Sequence, residues 1–165
     1  MKRLSSLLAL SGTAADKDTV QVPGGLAMSE FKGYEDWSVV AVSQTDELMK
    51  VMVADPTMIA AYKAGIPLNG KPFPEGATIV KIAWTKKKNQ EAPFDVKIPD
   101  TLKDVLFITK DSKRFAGSAG CGYAQFNHDA ASGSFTPEGS GSDCGHACHT
   151  IVKAKDYIFT AYGKR

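Results

Sequence analysis

Two cysteines and two histidines lie close together near the end of the chain, in the run DCGHACHT, Asp143–Thr150. Two thiols followed at once by a histidine are typical of a covalently attached haem, for which the usual spacing is C-x-x-C-H. Here three residues separate Cys144 from Cys148, and His149 follows directly. The extra residue can be accommodated if the turn that carries the thiols bulges. The run therefore remains compatible with haem attachment.

Three other chemistries compete for the same residues. A zinc site would need two more ligands, for which His146 and His128 are available. A disulfide between Cys144 and Cys148 would suit an oxidising compartment, but it would leave the histidines unexplained. A cysteine–histidine nucleophile would need a third group to orient it, and the sequence does not identify one. The motif alone leaves all four possibilities open.

A second residue with chemical potential is Lys81, which interrupts the strand-like stretch ATIVKIAW. Alternation along a strand places Ala77, Ile79, Lys81 and Ala83 on one face, so a charged amine lies in an otherwise apolar row. Such a lysine can serve a function. It can equally lay its stem on the sheet and extend its amine to water.

Length and composition describe an ordinary globular chain. It has 165 residues, a size typical of one domain, with 43% hydrophobic and 23% charged residues. The formal net charge of +2 gives no reason to expect a nucleic-acid partner. The dense basic run Lys86–Lys88 is interpreted as a solvated turn between strands.

The beginning of the chain predicts export to the periplasm. Residues 1–15 have basic residues, then the mostly apolar Leu4–Leu10, then the small residues Thr13–Ala15, which together are typical of a signal peptide. Residues 16–33 are interpreted as an N-terminal arm and 34–165 as a single domain. No later run is long enough to span a bilayer.

The elements that must position these residues form an antiparallel arrangement. Predicted strands follow one another without the helical crossovers that parallel pairing needs, which favours an α+β fold with a mainly antiparallel sheet and a few short helices. A helix capped by Asp55 should begin at Pro56 and end near Gly65. A second helix is expected over 34–40. The predicted strands are Leu48–Ala54, Ala77–Trp84, Asp104–Lys110 and Cys121–Asp129, with loops over Lys86–Pro99 and Ser132–Asp143.

Four segments of the chain occur in the order expected for one known family. They are DWSVVAV, KPFPEGATIVKIAW, TKDSKRFAGSAGCGYAQF and CHTIVKAKDYIFTAYGKR. From about Tyr34 to the C-terminus the chain resembles the cytochrome P-460 family, which includes the cytochromes c′-beta. The resemblance implies a homodimer with one haem c near the C-terminus of each chain. It also implies that Cys144 and Cys148 form the thioether bonds, that His149 is the proximal ligand, and that His146 points away from the iron.

The resemblance also identifies residues on the other side of the haem. Members that oxidise hydroxylamine carry a lysine, joined to the porphyrin, on the strand that matches TIVK, and Lys81 holds that position. They carry a carboxylate on the strand before the segment matching KDSKRF, where this chain has Leu106, or Val105 or Phe107 if the alignment is shifted by one residue. A basic residue on an earlier strand of these enzymes corresponds most nearly to Lys50.

The apparent loss of the carboxylate determines the predicted function. A pocket walled by Leu106 and Phe107 would offer no proton acceptor and would favour a small uncharged ligand. The prediction is an exported monohaem c-type cytochrome that binds nitric oxide at a vacant distal iron position, for capture, shuttling or detoxification, with an unidentified redox partner protein. The alternative is an enzyme that oxidises hydroxylamine, with Lys81 cross-linked to the haem. A third hypothesis is simple electron transfer, with one of three methionines as a sixth ligand: Met49, Met52 or Met58.

Overall fold

A six-stranded antiparallel sheet forms the centre of the protein in the computed structural model, which describes residues 16–138 and 142–164. The strands lie side by side in chain order, as a meander. Their bounds are β1 Ser38–Gln44, β2 Leu48–Ala54, β3 Thr78–Lys88, β4 Lys97–Lys110, β5 Cys121–Asp129 and β6 Ser134–Glu138. The predicted α+β class is confirmed. The predicted signal peptide lies outside the described residues.

Two α-helices pack on one side of this sheet. Helix α1, Pro56–Lys63, begins as predicted, because the Asp55 side chain accepts a hydrogen bond from the backbone N–H of Met58. Helix α2, Ser142–His149, carries the cysteine motif. Short 3₁₀ segments complete the helical structure at Lys17–Thr19, Met28–Phe31, Tyr34–Asp36, Ala116–Ser118 and Thr150–Lys155.

The helix expected over 34–40 is wrong. A single 3₁₀ turn, Tyr34–Asp36, leads directly into β1, in which Val39 and Val42 pair with residues of β2. Both are β-branched valines, which fit a pleated strand better than a helix. Strand β1 therefore takes the residues that the prediction gave to a helix.

Two predicted loops are shorter than expected. The basic run Lys86–Lys88 belongs to the end of β3, where it pairs with Lys97–Pro99 of β4, so it is not a turn. In the Gly- and Ser-rich stretch after Ser132, strand β6 pairs with β5 over five residue pairs. Both errors arise because backbone pairing with a neighbouring strand stabilises a polar segment that has no apolar pattern of its own.

One side of the sheet forms the main core, and we call it the core face. Its side chains pack against residues 16–37, which bury Val22, Leu26, Met28 and Phe31. The predicted N-terminal arm therefore closes this core. Sheet residues on the core face are Val53, Val80, Val105, Phe107, Ala124 and Phe126.

The opposite side, which we call the helix face, is mixed in character. At one end, Ala54, Ile79 and Ile158 form a second apolar cluster with helix α1. Beyond this cluster the helix face becomes polar and includes Lys81. Within the described ranges, no helix is long and apolar enough to cross a membrane.

Candidate functional site

Helix α2 presents both thiols of the motif from adjacent turns. Cys144 and Cys148 are four residues apart in a continuous α-helix, so their side chains lie on the same side of the helix. Both are exposed free thiols. No bulge is needed to accommodate the longer spacing, because four residues is close to the natural repeat of the helix.

His149, the last residue of α2, has one ring nitrogen fixed by the backbone. Its Nδ1 lies 2.6 Å from the carbonyl oxygen of Tyr157, to which it donates in the tautomer protonated there. Burial lowers the pKa of His149, and nearby Lys81 and His146 act in the same direction, whereas the hydrogen bond to Tyr157 opposes them. The lowered pKa favours the neutral imidazole, whose Nε2 then has its lone pair for a metal.

The docking of α2 depends on a glycine inside the motif. A Cβ atom built on Gly145 would lie 2.5 Å from the Cβ and Cγ atoms of Tyr123, so the helix backbone contacts the β5 side chain directly. The ring of His146 packs 4.9 Å from that of Tyr157, centroid to centroid, and the Tyr123 ring lies 5.2 Å from that of His149. These aromatic contacts fix α2 on the helix face.

The rival chemistries for the motif lose support from the arrangement of the chain. His128, one of the possible zinc ligands, lies on the core face with its ring 4.9 Å from Phe135, on the opposite side of the sheet from α2. Among the described residues, no three His, Cys, Asp or Glu side chains converge as a metal site. All three cysteines lie in the described part of the chain, and each is a free thiol.

Lys81 lies at the polar end of the helix face, as the alternation predicts. Met52 and Leu106 are its partners across the neighbouring strands β2 and β4. Burial lowers the pKa of Lys81, Asp104 opposes this shift, and Lys50 adds to it. A lowered pKa increases the fraction of neutral amine, which is the nucleophilic form. The sheet therefore brings together the two predicted lysines.

A carboxylate that the sequence interpretation missed stands beside them. Asp104 Oδ1 lies 3.7 Å from Lys81 Nζ, an ion-pair contact longer than a hydrogen bond. The same oxygen is buried and accepts no hydrogen bond from any residue that the structure describes. Asp104 precedes Leu106 by two positions, so alternation could have identified it as a residue of the same face.

Leu106 and Phe107, the predicted pocket wall, do not lie on the same face of the sheet. The two residues are neighbours in β4, so their side chains point to opposite faces of the sheet. Leu106 shares the helix face with Lys81, whereas the Phe107 ring stacks 4.1 Å from that of Phe31 in the core. Phe107 is 1% exposed and has a structural role.

The three methionines considered as a sixth ligand lie in different environments. Met52 pairs with Lys81 across β2 and β3 and shares the helix face. Met49 alternates to the other face, and Met58 is buried in the apolar cluster beneath α1. Only Met52 of the three lies in the same region of the sheet as the lysine pair.

A cleft of about 680 Å³ lies away from these residues. Its lining includes Glu30, Glu75 and Arg114, and it contains no residue of α2. Within it Glu30 bonds to Arg114, and Glu75 accepts a hydrogen bond from the Ser112 hydroxyl. The cleft therefore does not belong to the cysteine–histidine site.

The donor set fits a haem. Two accessible thiols lie one helical turn apart, a neutral imidazole has its second nitrogen available, and a buried carboxylate oxygen without a hydrogen-bond donor lies on the same face. Thiols and a histidine in this arrangement suit a haem protein of the cytochrome type. The chain belongs to the cytochrome P460 family, whose sequence model matches residues 31–160. No curated protein matches the chain.

Proposed function

We propose that the protein is an exported monohaem c-type cytochrome that oxidises a small nitrogen substrate of the hydroxylamine type. In this proposal Cys144 and Cys148 would hold the haem through thioether bonds and His149 would bind its iron. When bound, the haem supplies the position at which the substrate coordinates and accepts its electrons.

The observation that carries the proposal is the contact between Asp104 and Lys81. Each electron removed from hydroxylamine is accompanied by a proton, so the reaction needs a base within reach. The Oδ1 atom of Asp104, which accepts no hydrogen bond from a described residue, is such an acceptor, and the side chain as a whole is 17% exposed. The absence of an acid was the reason to prefer nitric oxide binding, and Asp104 removes that reason.

Lys81 and Lys50 have supporting roles in this proposal. Lys81 Nζ lies 3.7 Å from Asp104 Oδ1 and holds that carboxylate on the helix face. Lys50 lies on the same face, close enough to lower the pKa of Lys81. A covalent bond from Lys81 to the porphyrin is a separate expectation, which is tested by identifying a haem-linked peptide containing Lys81 in a digest.

Nitric oxide binding is the second candidate, favoured by the apolar partners of Lys81. Met52 and Leu106 flank it on the neighbouring strands, and neither can donate a hydrogen bond to a polar ligand. An apolar surrounding favours a small uncharged ligand. Titration of the reduced protein with nitric oxide, followed by absorption, measures this activity independently of turnover.

The deciding experiment is Asp104→Asn in protein produced with a c-type maturation system. The amide cannot accept the proton, so hydroxylamine oxidation with an added electron acceptor should fall at least about a hundredfold in kcat. The matched control is Asp100→Asn, since Asp100 lies on the same strand and pairs with Lys87 at 3.0 Å. Equal turnover by both variants and the wild type would exclude Asp104 as the base. A preparation without haem would refute the whole proposal.

Export to the periplasm, a homodimer and a redox partner protein remain predictions of the sequence. Mass spectrometry of protein recovered from the periplasm tests export and signal cleavage before Asp16. Sedimentation of the haem-loaded protein tests the dimer.

A further inference from the structure

Two consecutive residues after the last 3₁₀ segment adopt left-handed backbone conformations. The φ angle is 49° at Asp156 and 64° at Tyr157. Residues with a Cβ atom disfavour this region, and such conformations persist only where surrounding contacts impose them. A specific anchor is therefore expected at this turn.

The anchor is the side chain of Asp156. Its Oδ1 lies 2.8 Å from Lys110 Nζ, and its Oδ2 accepts a hydrogen bond of 2.8 Å from the backbone N–H of Phe73. The side chains of Lys110 and Asp156 are 10% and 12% exposed. Burial lowers the pKa of Lys110, but its bond to Asp156 and the nearby Cys121 outweigh burial and raise the pKa overall. Lys110 therefore keeps its positive charge beside Asp156.

The left-handed conformation fixes the position of the Tyr157 carbonyl group. The Tyr157 carbonyl oxygen lies 2.6 Å from His149 Nδ1. An acceptor at this nitrogen fixes the tautomer and orientation of a metal-binding histidine and increases its basicity. The strained turn thus presents its oxygen to the residue that the proposed function makes the iron ligand.

The ion pair is not needed simply to hold the tail of the chain on the sheet. Ile158 is buried in the apolar cluster with α1, and the Tyr62 hydroxyl donates to the Thr160 carbonyl at 2.9 Å. These contacts dock the tail beyond the turn. The contribution of Asp156 is therefore local to the turn that carries the acceptor.

We propose that the buried Lys110–Asp156 ion pair is a positioning device for His149, acting through the carbonyl group of Tyr157. The pair holds the turn in its left-handed form, which keeps the hydrogen bond to Nδ1 short. The short bond increases electron donation by the imidazole to the iron and favours the oxidised state. This inference rests on the proposed haem ligation by His149.

The test compares haem-loaded wild type with Asp156→Asn, which keeps an acceptor for Phe73 but loses its charge. Lys110→Met/Asp156→Asn removes the pair without leaving a buried charge, and it decides the question if the single variant does not fold. The matched control is Glu30→Gln, which breaks the ion pair with Arg114. The readouts are the iron–histidine stretching band of the reduced protein, measured by resonance Raman spectroscopy, and the midpoint potential.

Loss of the pair should shift the stretching band to lower wavenumber and the midpoint potential to more positive values, whereas the control should match the wild type. A merely structural pair would change the unfolding temperature and leave both readouts unmoved. Folded, haem-loaded variants with wild-type readouts would overturn this inference alone. A wild-type preparation without haem would overturn the proposed function as well.

Discussion

The two faces of one sheet serve different purposes in this protein. The core face is mainly apolar and is covered by the N-terminal segment, with Phe107 between Phe31 and Phe126. The helix face is apolar beneath α1, and beyond it Lys50, Lys81 and Asp104 form a charged group, with Met52 and Leu106 beside Lys81. The core face supplies stability. The helix face can therefore retain charged residues that add little to the stability of the protein.

Adjacent residues of β4 show the division most clearly. Leu106 and Phe107 are both large and apolar, yet one lies beside Lys81 and the other in the aromatic core. Their roles follow from the direction of the side chain and not from its chemistry. Comparison of the two faces therefore predicts separable effects on stability and on haem chemistry.

The largest effect is expected for Phe107→Ala. Removal of a fully buried ring should cost about 3–5 kcal/mol of unfolding free energy, through lost burial and the cavity that remains. Leu106→Ala is the matched variant and should cost much less, because Leu106 is only partly buried. Chemical denaturation measures both. Equal costs for the two variants would contradict the division between the faces.

The second prediction concerns the docking of α2 on the helix face. In Gly145→Ala, the gain in helix propensity of about 1 kcal/mol opposes an overpacking cost of about 1–3 kcal/mol against Tyr123. Because the added Cβ would lie only 2.5 Å from Tyr123, the overpacking cost exceeds the gain in helix propensity. The unfolding free energy and the haem-loaded fraction should therefore both fall. Gly163→Ala is the control, since nothing lies within 4 Å of its added Cβ. Normal haem loading of Gly145→Ala would show that α2 can move away from the sheet without loss.

A smaller effect is expected where α1 covers the apolar end of the helix face. Asp55 Oδ1 accepts hydrogen bonds from the backbone N–H groups of Met58 and Thr78, at 2.8 and 3.1 Å. Asp55→Ala should therefore cost about 1–2 kcal/mol of unfolding free energy. Asp55→Asn, which keeps an acceptor, should recover most of it in the same denaturation assay. Failure of this recovery would show that the carboxylate charge, and not the cap, stabilises the helix.

The smallest effect is a pH dependence of the unfolding free energy, which arises from the ion pair of Glu30 with Arg114. The hydrogen bond from Arg114 lowers the pKa of Glu30 below its usual 4.5. The stabilisation is therefore present above about pH 4.5 and is lost as the pH falls through the lowered value. Because both groups are partly exposed, it should be below about 1 kcal/mol. The unfolding free energies of wild type and Glu30→Gln should differ at pH 7 and converge in acid, and a constant difference would contradict this origin.

The sequence predicted the elements whose patterns are local. Strands β2 and β5 have the predicted bounds, since alternation needs no partner, and helix α1 begins at Pro56 because Asp55 can cap it. Strand β6 could not be predicted, because its Ser, Thr and Glu residues form a strand only where β5 offers pairing. The end of β3 and the beginning of β4 could not be predicted either, because their polar residues form strands only by pairing with each other.

The site was predictable to a similar extent. The motif identified the two thiols and His149, and Lys81 was found from its alternation. Asp104 is not indicated by the family resemblance, which points to Leu106, two residues further along β4. Its proximity to Lys81 depends on the register between β3 and β4, which pairs Lys81 with Leu106. Register is established when strands pair in the folded sheet, and it cannot be read from the pattern of a single strand.

The third cysteine has a consequence for how the chain matures. Cys121 is 2% exposed beneath the Lys110–Asp156 pair, whereas the two thiols of α2 face solvent. Once the sheet has formed, an oxidant or an electrophile can reach the thiols of Cys144 and Cys148 but not the buried thiol of Cys121. An odd number of cysteines is usually a hazard in an oxidising compartment, where the extra thiol can mispair. Here folding buries the Cys121 thiol, so it cannot mispair. Thiol-specific reagents should therefore label Cys144 and Cys148 and spare Cys121.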